Sequence, residues 1–233
     1  MRSTILITLF ATIAAAGSPA EAASRNFGIT GFTKVRVDGP FRVRVATGVA
    51  PFARASGSPQ ALDRVAVDVQ GDTLVIHPSA NDWGGYPGRD PGPVEISVGT
   101  HDLSQAWLNG AGTLAIDRVK GLSFGLSVQG SGAGQIGDAA ADEINVSLVG
   151  TASARLGGTA RKLVAVVRGI STLDAGGLTA RDATLGAEGA ATIDAHVTNA
   201  VRIDATGPAT IRLSGAPACT LKTSGSAGVS GCR

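Results

Sequence analysis

Two aspartates, Asp174 and Asp194, are the side chains of this sequence that are best placed to do chemistry together. They occupy the same position in two successive sequence repeats, and Arg155 and Arg212 occupy it in the repeats on either side. If the repeats stack, the carboxylates become neighbours, and paired carboxylates can act as general acid and base on a glycosidic bond. The flanking arginines favour instead an exposed charge ladder that offsets the repulsion between the aspartates. We therefore predict no catalytic residue, with a polysaccharide lyase or hydrolase as the alternative.

A second set of candidates lies in the segment SANDWGGYPGRDPG, between Ser79 and Gly92. The segment lacks hydrophobic periodicity, so we predict a long loop. It carries Trp83 and Tyr86, and aromatic rings on a loop can stack on sugar rings or on partner proteins. We predict that both rings belong to a binding site. The alternative is that they cap an open end of the fold.

The placement of all these residues depends on a repeat of about 18–20 residues. Each repeat begins with a glycine, and the second residue after the glycine is always small. The glycines are Gly110, Gly130, Gly150, Gly169, Gly189, Gly207 and Gly225. The small residues are Gly112, Gly132, Ala152, Ser171, Ala191, Ala209 and Ala227. A column of small side chains is what a tight interior corner of stacked coils requires.

Apolar residues alternate with other residues around each glycine, as in segments 124–128 and 144–148. This period is typical of a β-strand with one buried face. The short bends between the strands leave no room for the helical crossover of a parallel α/β sheet. The sequence therefore predicts an all-β fold, a right-handed parallel β-helix (β-solenoid) with rungs of about 18–20 residues. The column five residues after each glycine, which includes Asp174 and Asp194, is expected on one outer face.

The start of the chain predicts export. One basic residue, an apolar stretch and the small-residue site Ala20-Glu21-Ala22 are typical of a secretory signal peptide, which we predict over residues 1–22. Residues 23–233 are expected to form a single solenoid domain, most regular over 101–233, in the periplasm or at the cell surface. The net charge is only +2 and Lys and Arg are not clustered, so we expect no nucleic acid partner. No later apolar run is long enough to span a bilayer.

The two cysteines, Cys219 and Cys232, predict a disulfide, because an exported chain folds in an oxidising compartment. Their spacing matches no zinc or redox motif, and the three histidines are scattered along the chain. We therefore expect no metal and no cofactor.

Three phrases in the first half of the chain carry a family resemblance: FTKVRVDGPFRVRVATG, VDVQGDTLVIHPS and PVEISVGTHDLSQAWLNGAGTLAI. Together with the glycine repeats, they resemble the head GIN domain family of auto-transporter adhesins over about residues 31–213. The resemblance implies a β-helical protein of the cell envelope or cell surface. The family's motifs are hydrophobic and glycine patterns, which carry no catalytic signature.

Three functional hypotheses follow. The first is a non-enzymatic, adhesin-like module that presents flat solenoid faces to a polysaccharide or to an envelope or surface protein. Its binding candidates are Trp83, Tyr86, Arg155, Asp174, Asp194 and Arg212. The second is the polysaccharide lyase or hydrolase that uses Asp174 and Asp194. The third is self-association, in which unpaired strand edges at the solenoid ends join chains into a homo-oligomer.

Overall fold

The computed structural model describes residues 23–79 and 92–233. The predicted signal peptide, residues 1–22, and the binding candidates Trp83 and Tyr86 lie outside the described residues. The first strands are β1 (Ala23–Phe27), β2 (Lys34–Asp38), β3 (Arg42–Thr47), β4 (Phe52–Gly57), β5 (Val65–Gln70), β6 (Thr73–Pro78), β7 (Glu95–Thr100) and β8 (Gln105–Gly110), with one short helix, α1 (Pro59–Leu62). The later strands are β9 (Thr113–Gly130), β10 (Ala133–Gly150), β11 (Ser153–Gly169), β12 (Thr172–Glu188), β13 (Thr192–Thr206), β14 (Thr210–Ser214), β15 (Ala218–Ser224) and β16 (Gly228–Ser230).

The long strands β9 to β13 stack in parallel, each one rung above the last. Leu114 of β9 lies opposite Gly134 of β10, which lies opposite Ala154 of β11. Partners on neighbouring rungs are therefore about 20 residues apart in sequence, as the repeat requires. The predicted all-β class and parallel β-solenoid are confirmed.

The core runs along the inside of the stack. In β9 the inward side chains are all buried, and they lie in three groups along the strand. These are Leu114 and Ile116, then Val119, then Phe124, Leu126 and Val128. The outward side chains between them are exposed or half-buried, which gives the alternation seen in the sequence. Aliphatic residues and alanines fill most of the remaining core, so the rungs pack with few aromatic rings.

The glycine column forms a bend between two faces of the solenoid. Gly130 and Gly150 have φ angles of 102° and 103°, a conformation that residues with a side chain rarely adopt. The small column lies next to it and faces inward. A Cβ atom on Gly132 would lie 2.8 Å from a methyl group of Leu108, so even alanine does not fit there without a shift. Ser171 is fully buried, and its hydroxyl donates to the carbonyl oxygens of Gly150 and Arg168.

The N-terminal half continues the same stack, but only some of its strands pair in parallel like the rungs of the solenoid. Strands β2, β3 and β8 pair in parallel with their neighbours, whereas β1 with β4, β4 with β7 and β5 with β6 pair antiparallel. The Gly71-Asp72 turn explains one of these pairs, because a two-residue turn with a glycine at positive φ closes a hairpin. In the described ranges no helix is long and apolar enough to cross a membrane.

We name two outer faces of the solenoid. The ladder face is formed by the outward side chains of β3, β7, β14, β16 and the first five residues of each long strand. The tryptophan face is formed by the outward side chains of β2, β6, β8, β15 and the last eight residues of each long strand, and it contains Trp107.

Candidate functional site

A column of outward side chains crosses the ladder face, with one residue from each rung. Along the stack it reads Arg44, Ala115, Gln135, Arg155, Asp174, Asp194, Arg212 and Ser230. Each residue lies directly opposite the next one on the neighbouring parallel strand. The stacking therefore brings together the four charged residues that were selected from the sequence.

Both aspartates are bound by an arginine from a neighbouring strand. Arg155 donates from Nε to Oδ2 of Asp174 at 3.0 Å. Arg212 binds Asp194 through two hydrogen bonds, from Nε to Oδ1 at 2.6 Å and from Nη2 to Oδ2 at 2.8 Å. The hydrogen bonds to Asp194 raise the pKa of Arg212 above its usual value. Two adjacent ion pairs therefore offset the repulsion between the two neighbouring carboxylates.

All four carboxylate oxygens of this pair accept a hydrogen bond from the protein. Three of them face arginines, and the fourth, Oδ1 of Asp174, accepts from the backbone N–H of Gly176 at 3.3 Å. A general acid or base needs an oxygen that can exchange a proton with a substrate. Here the carboxylates act as acceptors within the ladder, an arrangement that favours a structural and electrostatic role.

Arg44 belongs to the same column, although the repeat analysis does not select it. It lies opposite Ala115 on β9, and Arg42 lies opposite Thr113. The sequence does contain the signal, because Arg44 follows Gly39 by five residues, just as Asp174 follows Gly169. Gly39 has a φ of 122° and stacks against Gly110, so it begins the glycine column.

A groove of about 520 Å³ lies on this face between Arg42, Arg44 and Arg155. Arg42 and Arg44 lie on β3 and Arg155 lies on β11, and the strands between them contribute Ala115, Ala133 and Gln135 to the lining. The lining of the groove extends across the strands from Glu95 on β7 to Asp174 on β12.

Three arginines and two carboxylates, Glu95 and Asp174, line the groove, which leaves an excess of one positive charge. Within residues 23–79 and 92–233, Arg42 and Arg44 form no ion pair, although Glu95 lies opposite Arg42 on β7. Arg155 does have a partner, Asp174, but its side chain is 73% exposed. Three guanidinium groups therefore line one groove, and guanidinium forks match the geometry of carboxylate, sulfate and phosphate groups.

Comparison with known proteins places the chain in a family. The sequence model described as "Putative auto-transporter adhesin, head GIN domain" matches residues 31–217, which is most of the chain. The chain belongs to the head GIN domain family. The resemblance over about residues 31–213 is thereby confirmed. No curated protein matches the chain.

Solved structures share the fold of this head GIN domain at low sequence identity. A putative adhesin from Bacteroides fragilis is 18% identical with a TM-score of 0.80, covering 90% of this chain and 95% of its own. A protein from Parabacteroides distasonis described as a putative lipid binding protein is 19% identical with a TM-score of 0.71, covering 89% and 95%. A putative adhesin from Parabacteroides merdae is 15% identical with a TM-score of 0.65, covering 89% and 95%.

The C-terminal end of the head GIN domain contains the predicted disulfide. Cys219 on β15 is bonded to Cys232, thirteen residues later. Leu221 follows the inward register of the rung below but is 49% exposed, because β15 pairs only with β13 among the described strands. The covalent link therefore holds a rung that has a neighbour on one side. In the part of the chain that the structure describes, no three His, Cys, Asp or Glu residues cluster closely enough to hold a metal ion.

Proposed function

We propose that this head GIN domain is an exported, non-enzymatic, adhesin-like module of the periplasm or cell surface that binds an acidic polysaccharide along the ladder face. The observation that carries the proposal is the open groove lined by Arg42, Arg44 and Arg155. Two of these guanidinium groups have no ion-pair partner among the described residues. A negatively charged ligand would supply the missing partners.

The spacing of the arginines suits a chain of repeated anionic groups. Arg44 and Arg155 are three strand steps apart, which corresponds to about 14 Å. Their backbone positions are fixed by the parallel sheet, so the ligand need not order a flexible loop when it binds. An extended polysaccharide with one carboxylate on each sugar can contact both arginines at once, whereas a single small anion cannot.

The hydrogen bonding of Asp174 and Asp194 supports binding rather than catalysis. A glycoside hydrolase uses its two carboxylates on either side of the scissile bond, one of them as a proton donor. In this ladder the two carboxylates lie on adjacent strands and accept hydrogen bonds from Arg155, Arg212 and the Gly176 backbone. The lyase or hydrolase alternative has to release these contacts before any proton transfer.

The test is calorimetric titration of the purified mature protein with polygalacturonate, and with neutral poly(vinyl alcohol), which contains no sugar rings, as the comparison polymer. We expect saturable binding of polygalacturonate and none of poly(vinyl alcohol). The variant Arg42→Ala/Arg44→Ala is expected to lose most of the affinity. The matched control is Lys120→Ala/Arg202→Ala, which removes two exposed positive charges away from the ladder face.

The outcomes separate the three functional hypotheses. Equal affinity of the groove variant and the control variant would overturn the proposed site. Release of unsaturated or reducing oligosaccharides from polygalacturonate would favour the enzyme. The groove variant could still bind polygalacturonate while the molecular mass of the protein rises with its concentration. This result would favour self-association, in which many weak nonspecific contacts add up to the measured binding.

A further inference from the structure

A tryptophan on the other flat face forms the centre of a second depression. Trp107 lies on β8 between Ala106 and Leu108, which are both fully buried in the core. Because side chains alternate along a strand, the indole of Trp107 points away from the core, and it is half-buried. A large aromatic ring on the outside of a solenoid whose chain has few aromatic residues calls for an explanation beyond core packing.

The depression beside Trp107 measures about 530 Å³, and polar side chains line it together with Trp107 and Val75. Val75 points outward from β6 but is only 2% exposed, so the indole of Trp107 supplies the accessible apolar surface. The amide side chains of Gln70, Asn109 and Gln129 belong to the rim. A site with an apolar surface and a few convergent polar groups is the usual form of a small-ligand site.

Two of the rim side chains are held in place by one carboxylate. Asp38 accepts from Nε of Arg36 at 2.8 Å through Oδ2, and from Nδ2 of Asn109 at 2.7 Å through Oδ1. No other hydrogen bond to either side chain occurs within the described ranges. The two terminal amino groups of Arg36 and the amide oxygen of Asn109 therefore remain for a ligand, in positions that are already fixed.

The residues on the other side of Trp107 leave room for a ring. Ser127 lies directly opposite Trp107 on β9, and Ser147 follows it on β10. Gly125, diagonal to Trp107, has no side chain, but the side chain of Gln105 lies 3.5 Å from where its Cβ atom would be. The room for a flat ligand beside the indole is therefore over Ser127 and Ser147, whose side chains are short.

The charges around Trp107 favour an uncharged ligand. The guanidinium of Arg36 is already paired with Asp38, and the other polar lining residues are uncharged, namely Gln70, Thr73, Asn109 and Gln129. An apolar ring face stacked on an aromatic side chain, with planar donors and acceptors at its edge, matches the two apolar faces and equatorial hydroxyls of a pyranose sugar. We propose that Trp107, Arg36, Asn109 and Gln129 form a second site on the tryptophan face, and that it binds a neutral pyranose.

The experiment uses the intrinsic fluorescence of the protein. In a Trp83→Phe background, Trp107 is the one tryptophan left in the chain, so its emission reports directly on the depression. We expect cellohexaose or maltohexaose at millimolar concentrations to shift this emission saturably. In calorimetry with the wild-type protein, Trp107→Ala is expected to weaken the binding by at least roughly tenfold.

Two further variants protect the test against a loss of folding. Trp107→Phe keeps an aromatic ring and is expected to retain part of the affinity. Ser127→Tyr leaves Trp107 in place but fills the space beside it, and it is expected to abolish binding while circular dichroism stays unchanged. The groove variant Arg42→Ala/Arg44→Ala is expected to bind the neutral oligosaccharides normally, so this proposal and the proposed function can fail separately.

The proposal would be overturned by either of two results. One is the absence of any emission change with both neutral oligosaccharides. The other is wild-type affinity in both the Trp107→Ala and the Ser127→Tyr variants.

Discussion

Asp174 and Asp194 lie directly opposite each other on neighbouring parallel strands, and each carboxylate is bound by an arginine on its other side. The order of charges along the column is therefore positive, negative, negative, positive. The two aspartates reduce the positive charge that Arg155 and Arg212 present to the solvent. They consequently limit how strongly this end of the ladder face attracts an anion.

Removal of the two aspartate charges should strengthen the binding of an acidic polysaccharide. In the variant Asp174→Asn/Asp194→Asn, Arg155 and Arg212 keep their positions but lose their ion-pair partners. We expect polygalacturonate to bind several-fold more tightly, because Arg155 in the groove and Arg212 beyond it are both released from their ion pairs. Calorimetric titration measures the change. Under the enzyme hypothesis the same variant would instead lose its activity.

The control for this prediction lies on the other face. Asp204 pairs with Lys222 at 3.3 Å on the tryptophan face, so Asp204→Asn removes a similar exposed charge away from the groove. Its affinity for polygalacturonate is expected to stay at the wild-type value. Asp204→Asn removes one negative charge and the double variant removes two, so a gain half as large in Asp204→Asn would mean that net charge, rather than the ladder face, governs the binding.

The interior corner should not accept a large side chain. Ala191 is 1% exposed and lies between Ser171 and Ala209 of the neighbouring rungs. We expect Ala191→Leu to lower the free energy of unfolding by about 1–3 kcal/mol, because the extra atoms push the stacked rungs apart. Urea denaturation measures the loss. Ala191→Ser is the control, since the same column holds a serine at position 171, and a loss as large in this variant would contradict the explanation.

The repeated half of the fold could be predicted because each rung contains the same pattern of a glycine, a small corner residue and alternating apolar residues. The glycines at positive φ and the small corner residues recur about every 20 residues, so successive rungs align when these residues are stacked on each other. This alignment places Asp174 beside Asp194. The disulfide between Cys219 and Cys232 was predicted from chemistry rather than geometry, and it is formed.

The residues that the N-terminal half adds to the two faces could not be placed from the repeat. Asp38 bonds to Asn109, which lies 71 residues later, because antiparallel strand pairs and a helix intervene between two consecutive rungs. That interruption hides Gly39 as the first glycine of the column, and with it Arg44. The depression around Trp107 was missed for a related reason, since part of its lining comes from β6, whose pairing with β2 follows no sequence repeat.

The disulfide should stabilise the last rung. It closes a segment of thirteen residues, for which chain entropy predicts about 2–4 kcal/mol of stabilisation. We expect Cys219→Ser/Cys232→Ser to unfold at lower urea concentration than the wild type. The reduced wild-type protein should match this variant, and identical midpoints of the oxidised and reduced proteins would contradict the prediction.

His77 should make stability depend on pH near neutrality. Its hydrogen bond with Asp68, at 3.0 Å, is the main cause that raises the pKa of His77 in the folded protein. Because the pKa of His77 is higher in the folded than in the unfolded protein, protonated His77 stabilises the fold. This stabilisation is complete below the unfolded-state pKa of about 6.5, and it is lost as the pH rises through the folded-state pKa. We expect the urea midpoint of the wild type to fall more over that range than that of His77→Gln. Asp68→Asn is expected to lower the pKa of His77 in an NMR titration, and an unchanged pKa would contradict the assignment.

Salt should separate the two proposed sites. The groove on the ladder face relies on the exposed charges of Arg42, Arg44 and Arg155, whereas the depression at Trp107 relies on stacking and neutral hydrogen bonds. The screening length falls from about 10 Å at 0.1 M salt to about 3 Å at 1 M. We therefore expect polygalacturonate affinity to drop by at least roughly tenfold over that range, while cellohexaose affinity stays nearly constant. Parallel calorimetric titrations at the two salt concentrations measure both. If the affinity for polygalacturonate does not depend on salt, the guanidinium groups are not responsible for the binding. If the affinity for cellohexaose falls with salt, Arg36 acts as a free charge.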